Sequence, residues 1–213
     1  MSTEFIKRII SSIILLPLTF FIIIKGSFLF ILFILICLLI SIYEWNKITK
    51  NKRYKIFGFI FLFFSFLSIY NLRLNSGDNY SFFLLIITVC ISTDIGGYIF
   101  GKLFKGPKLI KYSPNKTYAG LIGAFVFSII SMIIFSFKFE LIELSGKLLI
   151  FILIISLISQ LGDIFISYFK RLSNIKDTGK IIPGHGGLLD RIDGMIFVFP
   201  FSNIIVLTNF FNV

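Results

Sequence analysis

Long uncharged apolar stretches, separated by short polar segments, set the rhythm of this chain. They cover approximately residues 9–24, 27–43, 56–70, 82–100, 121–137, 148–169 and 195–211. A membrane-crossing helix needs about 20 consecutive apolar residues, and runs of about 17–25 serve. The pattern therefore predicts an all-α fold, a polytopic transmembrane helical bundle of about seven spans. The first and third runs are short for this purpose. Flanking residues have to extend them, or these helices tilt little or re-enter the membrane. Only Lys25-Gly26 divides the first run from the second.

Composition strengthens this reading. Hydrophobic residues make up 57% of the 213 positions, charged residues only 15%, and the mean hydropathy is +0.97. A soluble domain carries about 25% charged residues. A biased genome could enrich Ile, Phe, Lys and Asn, but it would not create uncharged runs of membrane length. Cys37 and Cys90 both sit inside apolar runs without metal-ligand spacing, and read as small buried hydrophobes. The first run follows Lys7 and Arg8 but lacks a small-residue cleavage site and leads into another run. It therefore reads as a span and not as a cleavable signal.

Charge placement orients the bundle. With a cytoplasmic N-terminus and seven spans, 17 of the 21 basic residues fall inside, and only Lys25, Arg73, Lys138 and Lys147 fall outside. Such an excess is the positive-inside signature. It puts both long polar loops, including Lys111, on the cytoplasmic side of the cell (inner) membrane, where nucleotides are available. The net charge of +11 borders the spans, so topology and contact with anionic lipid account for it. Nucleic acid is not an expected partner. No internal repeat is evident. Residues 1–80 read as N-terminal scaffold helices and residues 81–213 as the catalytic region with its cytoplasmic loops.

Chemistry concentrates in three polar clusters near the ends of the later runs. Asp94 and Asp163 lie within apolar runs, where a carboxylate is expensive unless it pairs, binds a cation or faces water. A polar lock between helices is the plain alternative. Gly96-Gly97 and Gly162 beside them allow close approach of either a helix or a substrate. Asp190 and Asp193 are three residues apart. They share a face if the last helix begins at Leu188. Joined by Asp163, they offer oxygen ligands suited to Mg²⁺.

The glycines of Pro183-Gly184-His185-Gly186-Gly187 free backbone N–H groups to cradle phosphate oxygens. No P-loop or dinucleotide fingerprint is present. His185, the sole histidine, can orient a phosphate, move a proton or hold the loop together. Lys170 and Arg171 follow an apolar run, where at least one of them serves as a membrane anchor. Lys176-Asp177 is a less ordinary pair, since a cation among phosphates wants a counter-carboxylate. Lys116 in Ser113-Pro114-Asn115-Lys116-Thr117 is either another phosphate cation or part of a turn that starts the fifth helix.

The ordered set Ser167, Lys170-Arg171, Lys176-Asp177, Pro183-Gly184-His185-Gly186-Gly187 and Asp190-Arg191-Ile192-Asp193 resembles the signature of the phosphatidate cytidylyltransferase family. Upstream, Asp94-Ile95-Gly96-Gly97-Tyr98, the SPNKT segment with Gly120, and Gly162-Asp163 match more loosely but in the same order. The chain departs from the family pattern at Ala119, where an acidic residue is usual, and at Gly194, where Ser is usual.

The resemblance implies transfer of a cytidylyl group from CTP to phosphatidic acid, giving CDP-diacylglycerol and pyrophosphate. It implies Mg²⁺ held by Asp163, Asp190 and Asp193, with a second cation such as K⁺ in a two-cation centre. Lys116, Lys170, Arg171, Lys176 and Arg191, with the backbone at Gly186 and Gly187, would meet phosphates. Asp177 would position Lys176 or water, and Asp94 and Ser167 would support the same cavity. Membrane lipids and a second copy of the chain, docking on the uncharged front, complete the expected partners. A CTP-dependent polyprenol or dolichol kinase is the nearest rival, and an ion transporter is the rival from another class. A transporter favours midplane sites and paired repeats, whereas the polar groups here gather at one face. A CDP-alcohol phosphotransferase would need a DGxxAR motif, which is missing.

Overall fold

Each of the seven apolar runs lies in a helix of the computed structural model. It describes residues 3–50, 52–76, 80–110, 113–138 and 144–208, and among these every side chain except those of residues 3–6, 8, 9 and 113–115. Lys111 and the end of the last apolar run, residues 209–211, lie outside the described residues. The long helices are α1 (Thr3–Lys25), α2 (Ser27–Ile48), α3 (Lys55–Asn75), α4 (Ser81–Phe104), α5 (Tyr118–Lys138) and α6 (Gly146–Leu172). A single helical turn, α7 (Leu189–Ile192), precedes α8 (Met195–Leu207).

Among the described residues, five helices, α2 to α6, are long and apolar enough to cross a membrane. The apolar part of α1 and the whole of α8 are shorter. The architecture is thus helical and multi-pass, with five clear spans where the sequence predicts about seven. The third run, short in sequence, becomes the 21-residue α3 because Asn71 to Asn75 continue the helix beyond it. Large apolar side chains such as Ile13, Phe28, Leu39, Phe57 and Phe137 are more than half exposed, a surface suited to lipid and costly in water. At the α1–α2 junction Gly26 and Ser27 both take positive φ, 61° and 57°, the left-handed region that Gly adopts without strain.

Between α4 and α5 the chain forms an antiparallel hairpin that the sequence pattern did not predict. Its strands are β1 (Lys108–Ile110) and β2 (Ser113–Thr117), with Lys108 opposite Thr117 and Ile110 opposite Ser113. Strands this short, one containing Pro114, carry no alternation to detect. The segment around Lys116, for which a turn was one of two readings, is strand β2, and α5 follows it directly at Tyr118, with Thr117 Oγ1 accepting the Gly120 N–H at 3.1 Å.

The chain forms two compact units. The first comprises Met1–Tyr70 and Phe169–Ile192. Trp45 organises it. The indole meets Phe169 edge-on at 5.2 Å and donates to the Lys55 carbonyl at 3.0 Å. Gly58 lies flat on this ring, where a Cβ would come within 2.0 Å of it.

The second unit comprises Asn71–Tyr168 and Asp193–Val213. Helices α4 and α5 meet backbone to backbone. A Cβ at Gly96 would lie 2.4 Å from the Gly123 carbonyl, and one at Gly120 would lie 2.8 Å from that of Gly97. Gly162 likewise faces Phe197, whose ring would stand 2.6 Å from a Cβ there. These glycines therefore serve helix packing.

The sequence reading allowed the last helix to begin at Leu188 and continue through Asp193. In the structure α7 stops at Ile192 and α8 starts at Met195. Asp193 Oδ1 takes the Gly194 N–H at 2.9 Å, a local side-chain bond that competes with the helix ladder.

Candidate active site

In the first unit the segment following α6 folds around two carboxylates. Asp190, on α7, receives Lys170 Nζ on Oδ1 at 2.8 Å. Its Oδ2 accepts the N–H groups of Thr178 and Gly187 at 2.8 and 3.0 Å, and lies 3.1 Å from the Thr178 hydroxyl. Both partners of this ion pair are nearly enclosed, with side chains 11% and 5% exposed. A lysine and an aspartate tolerate such burial only when paired and hydrogen-bonded.

Glu44 of α2 is the second carboxylate, and it is fully buried. Its Oε1 accepts Leu188 N–H at 2.9 Å, and its Oε2 accepts Leu189 N–H and the Thr178 hydroxyl, each at 2.8 Å. These N–H groups belong to the start of α7, which lacks intrahelical acceptors for them.

The PGHGG loop closes on α1. Ser11 Oγ donates to the Pro183 carbonyl at 3.1 Å and lies 2.8 Å from His185 Nδ1, while Ser12 Oγ lies 3.3 Å from Nε2. A neutral imidazole protonated on Nδ1 satisfies all three contacts. Of the three uses open to His185 in sequence, this arrangement provides for holding the loop. The loop itself turns at Gly184 and Gly186, with φ of 75° and 90°. Arg191 donates through Nε and Nη2 to the His185 carbonyl at 3.1 and 2.6 Å. Asp177 lies beside Gly186, its Cγ 3.7 Å from where a Cβ would stand. Arg171, Lys176 and Asp177 are exposed, so their charges face outward.

The second unit holds another pair. Lys116, on β2, reaches Asp163 Oδ2 of α6 at 2.6 Å and donates to the Gln160 carbonyl at 3.1 Å. Ser167, one turn further along α6, donates to Asp163 Oδ1 at 3.2 Å. The Asp193 carbonyl passes close to Gly162, the neighbour of Asp163. Asp193 is itself buried, and Asp94 is exposed on α4. Gly194 packs on Ser159, where a Cβ would come 2.4 Å from Oγ and 2.7 Å from the carbonyl oxygen. The missing side chain at this departure from the family pattern thus has a steric cause. Nothing in the structure accounts for Ala119.

Among the described residues, no three His, Cys, Asp or Glu side chains gather closely enough to hold a metal. Two of the three expected ligands, Asp163 and Asp190, each hold a lysine ammonium instead.

Comparison with known proteins shows what this arrangement belongs to. The model of the cytidylyltransferase family matches residues 6–81 and 55–209. A phosphatidate cytidylyltransferase of Rickettsia typhi is 38% identical over 201 residues, which is 91% of this chain and 88% of the relative. One from Rickettsia felis is 37% identical over 203 residues with the same coverage. One from Staphylococcus haemolyticus is 42% identical over 131 residues, 61% of this chain and 50% of the relative.

The chain belongs to the cytidylyltransferase family.

Four residues that organise the loop of this cytidylyltransferase-family chain escaped the sequence reading: Glu44, Thr178, Ser11 and Ser12. Glu44 left one trace. It is the only acidic residue between Glu4 and Asp78, at the end of an apolar run. The serines left none, since hydroxyls within apolar helices commonly bond to their own backbone, as Ser41 does to Cys37.

Proposed function

We infer that this chain transfers the cytidylyl group of CTP to phosphatidic acid, forming CDP-diacylglycerol and releasing pyrophosphate. The observation that carries the inference is the match over nine-tenths of the chain to relatives that bear this activity in their name. The geometry agrees in character, because cations and carboxylates are paired and partly buried, Lys170 at the end of α6 with Asp190 and Lys116 of β2 with Asp163.

A phosphate oxygen of the lipid attacks the α-phosphorus of CTP. The bond from that phosphorus to the bridging oxygen breaks, and pyrophosphate leaves with the electron pair. The lipid phosphate is itself the nucleophile, so no protein nucleophile is required. The protein has to hold two repelling polyanions in line and screen their charge. Lys116 and Lys170 carry that charge, exchanging their carboxylate partners for phosphate oxygens. Arg171 and Lys176, exposed beside the loop, meet the outer phosphates, with Asp177 orienting Lys176. Arg191 and His185 fix the loop whose Gly186 backbone approaches the nucleotide, while Gly187 holds Asp190 through its N–H.

The donor chemistry fits Mg²⁺. Carboxylate oxygens are hard ligands, and at Asp163 and Asp190 an ammonium group already stands where a cation is favoured. Asp163, Asp190 and Asp193 would hold Mg²⁺, with Ser167 and Asp94 in support and K⁺ as a candidate second cation. When bound, the metal neutralises phosphate oxygens and stabilises the leaving group. Residues 1–80 act as scaffold, and residues 81–213 carry the reacting groups. The N-terminus and the active-site loops face the cytoplasm at the inner membrane, and a second copy docks on the uncharged front.

The test is CDP-diacylglycerol formation by purified protein in vesicles supplied with CTP, phosphatidic acid and Mg²⁺, beside Asp190→Asn. Product from the parent and little from the variant supports the reading. No product from folded parent, with phosphorylation of a prenol instead, would replace it with the kinase reading.

A further inference from the structure

We propose that Glu44 is a positioning residue for cytidylyl transfer, a buried anion that fixes the glycine-rich loop and, through Thr178, the pose of Asp190 and Lys170. The proposal rests on the function inferred above and assigns a role within the same site. All the groups involved lie in the first unit.

Three observations carry it. First, Glu44 is fully buried in α2, yet among the described residues its hydrogen-bond donors all come from the distant segment 178–189. A carboxylate so enclosed is stable only where donors meet it. Two N–H groups and one hydroxyl do so here, and charge-assisted bonds of this kind are the stronger class.

Second, the segment is shaped to admit this side chain. A Cβ at Gly179 would stand 2.5 Å from Glu44 Oε1, and one at Gly187 would stand 2.6 and 2.7 Å from the two oxygens. The last glycine of PGHGG thus makes room for a carboxylate of the protein. Its N–H is already committed to Asp190.

Third, Thr178 joins the two acids. Its hydroxyl lies 2.8 Å from Glu44 Oε2 and 3.1 Å from Asp190 Oδ2, and its N–H binds Asp190 at 2.8 Å. Asp190 in turn holds Lys170. A shift of Glu44 is therefore passed through one residue to the Asp190–Lys170 pair. A mere lock between helix and loop would need no such bridge to a second charged pair.

The test compares Glu44→Gln, Thr178→Val and Thr178→Ser with the parent in reconstituted vesicles, with kcat and KM for CTP measured separately. A glutamine amide turns N–H groups toward a loop that offers donors, so the loop loses its anchor without losing bulk. Misplacement of catalytic groups by about 1 Å can cost about 10²-fold. The expected result is a fall in kcat of about 10–100-fold for Glu44→Gln and for Thr178→Val, with KM for CTP within about threefold. Thr178→Ser restores the hydroxyl and recovers most of that loss. The double variant Glu44→Gln/Thr178→Val falls no further than the worse single one, because both act through one bridge.

If Glu44→Gln fails to accumulate as folded protein, Thr178→Val carries the test, since it leaves the carboxylate and its two N–H donors in place. An active parent with both variants within threefold of it, or with KM raised and kcat unchanged, would overturn the proposal. An inactive parent would instead count against the inferred function, which keeps the two failures distinct.

Discussion

A single methyl group at residue 187 tests how tightly the loop is built. In Gly187→Ala the new Cβ would sit 2.0 Å from Thr178 Oγ1 and 2.6 and 2.7 Å from the Glu44 oxygens. Relief requires Glu44 or Thr178 to withdraw. Overpacking costs about 1–3 kcal/mol. Loss of a hydrogen bond to a charged group costs a further ~1.5–3 kcal/mol. Together these approach ~3–6 kcal/mol, a large share of the ~5–15 kcal/mol that holds a typical folded domain.

The assay is thermal unfolding in detergent, followed by the emission of Trp45. This is the only tryptophan in the chain, and it belongs to the same unit as the loop. At about 2–4 °C per kcal/mol for a chain of this size, a loss of that size lowers the midpoint by roughly 6–24 °C. Gly146→Ala is the control, because nothing lies within 4 Å of a Cβ there. A Gly187→Ala protein that melts with the parent and keeps its activity would refute the packing argument.

Other outcomes follow from the same geometry. Lys116→Met removes the 2.6 Å pair with Asp163, whose members are 23% and 30% exposed. Such a partly solvated pair contributes about 1 kcal/mol or less to stability, so melting should barely change. Turnover, which loses a phosphate-binding cation, should fall by about 10²-fold. Gly194→Ser, which restores the residue usual in the family pattern, should destabilise this chain by about 1–3 kcal/mol because Ser159 occupies the space. Thermal unfolding of that variant reads the effect directly. Chelation of Mg²⁺ should stop product formation, and calorimetric titration of Mg²⁺ should show heat with the parent and much less with Asp163→Asn.

The helices were legible because their signal is long and redundant. Each of α2 to α6 carries an apolar run that no soluble fold would expose, so a single Lys, Arg or Asp within it does not hide the span. The ends were less legible. The apolar part of α1 and the whole of α8 fall short of the clear spans, and the break at Asp193–Gly194 depends on one side-chain bond that periodicity cannot register. The hairpin before α5 was invisible for the same reason, being too short for a period of two to appear.

The candidate site was legible as a list of residues but not as a set of partners. Lys170 and Asp190 were both singled out, yet nothing in the sequence paired them across twenty positions. Lys116 and Asp163 are further apart still, and their contact depends on how β2 approaches α6. The glycines carried the sharpest ambiguity. In sequence, Gly187 reads as open backbone awaiting phosphate oxygens. In the structure, the space beside it is filled by Glu44 and its N–H is held by Asp190. Glycine reports only that something must come close. What comes close here is a carboxylate 143 positions earlier, on a helix that otherwise reads as lipid-facing scaffold. An acid that interrupts such a helix therefore carries as much information about the loop as the loop's own motif does.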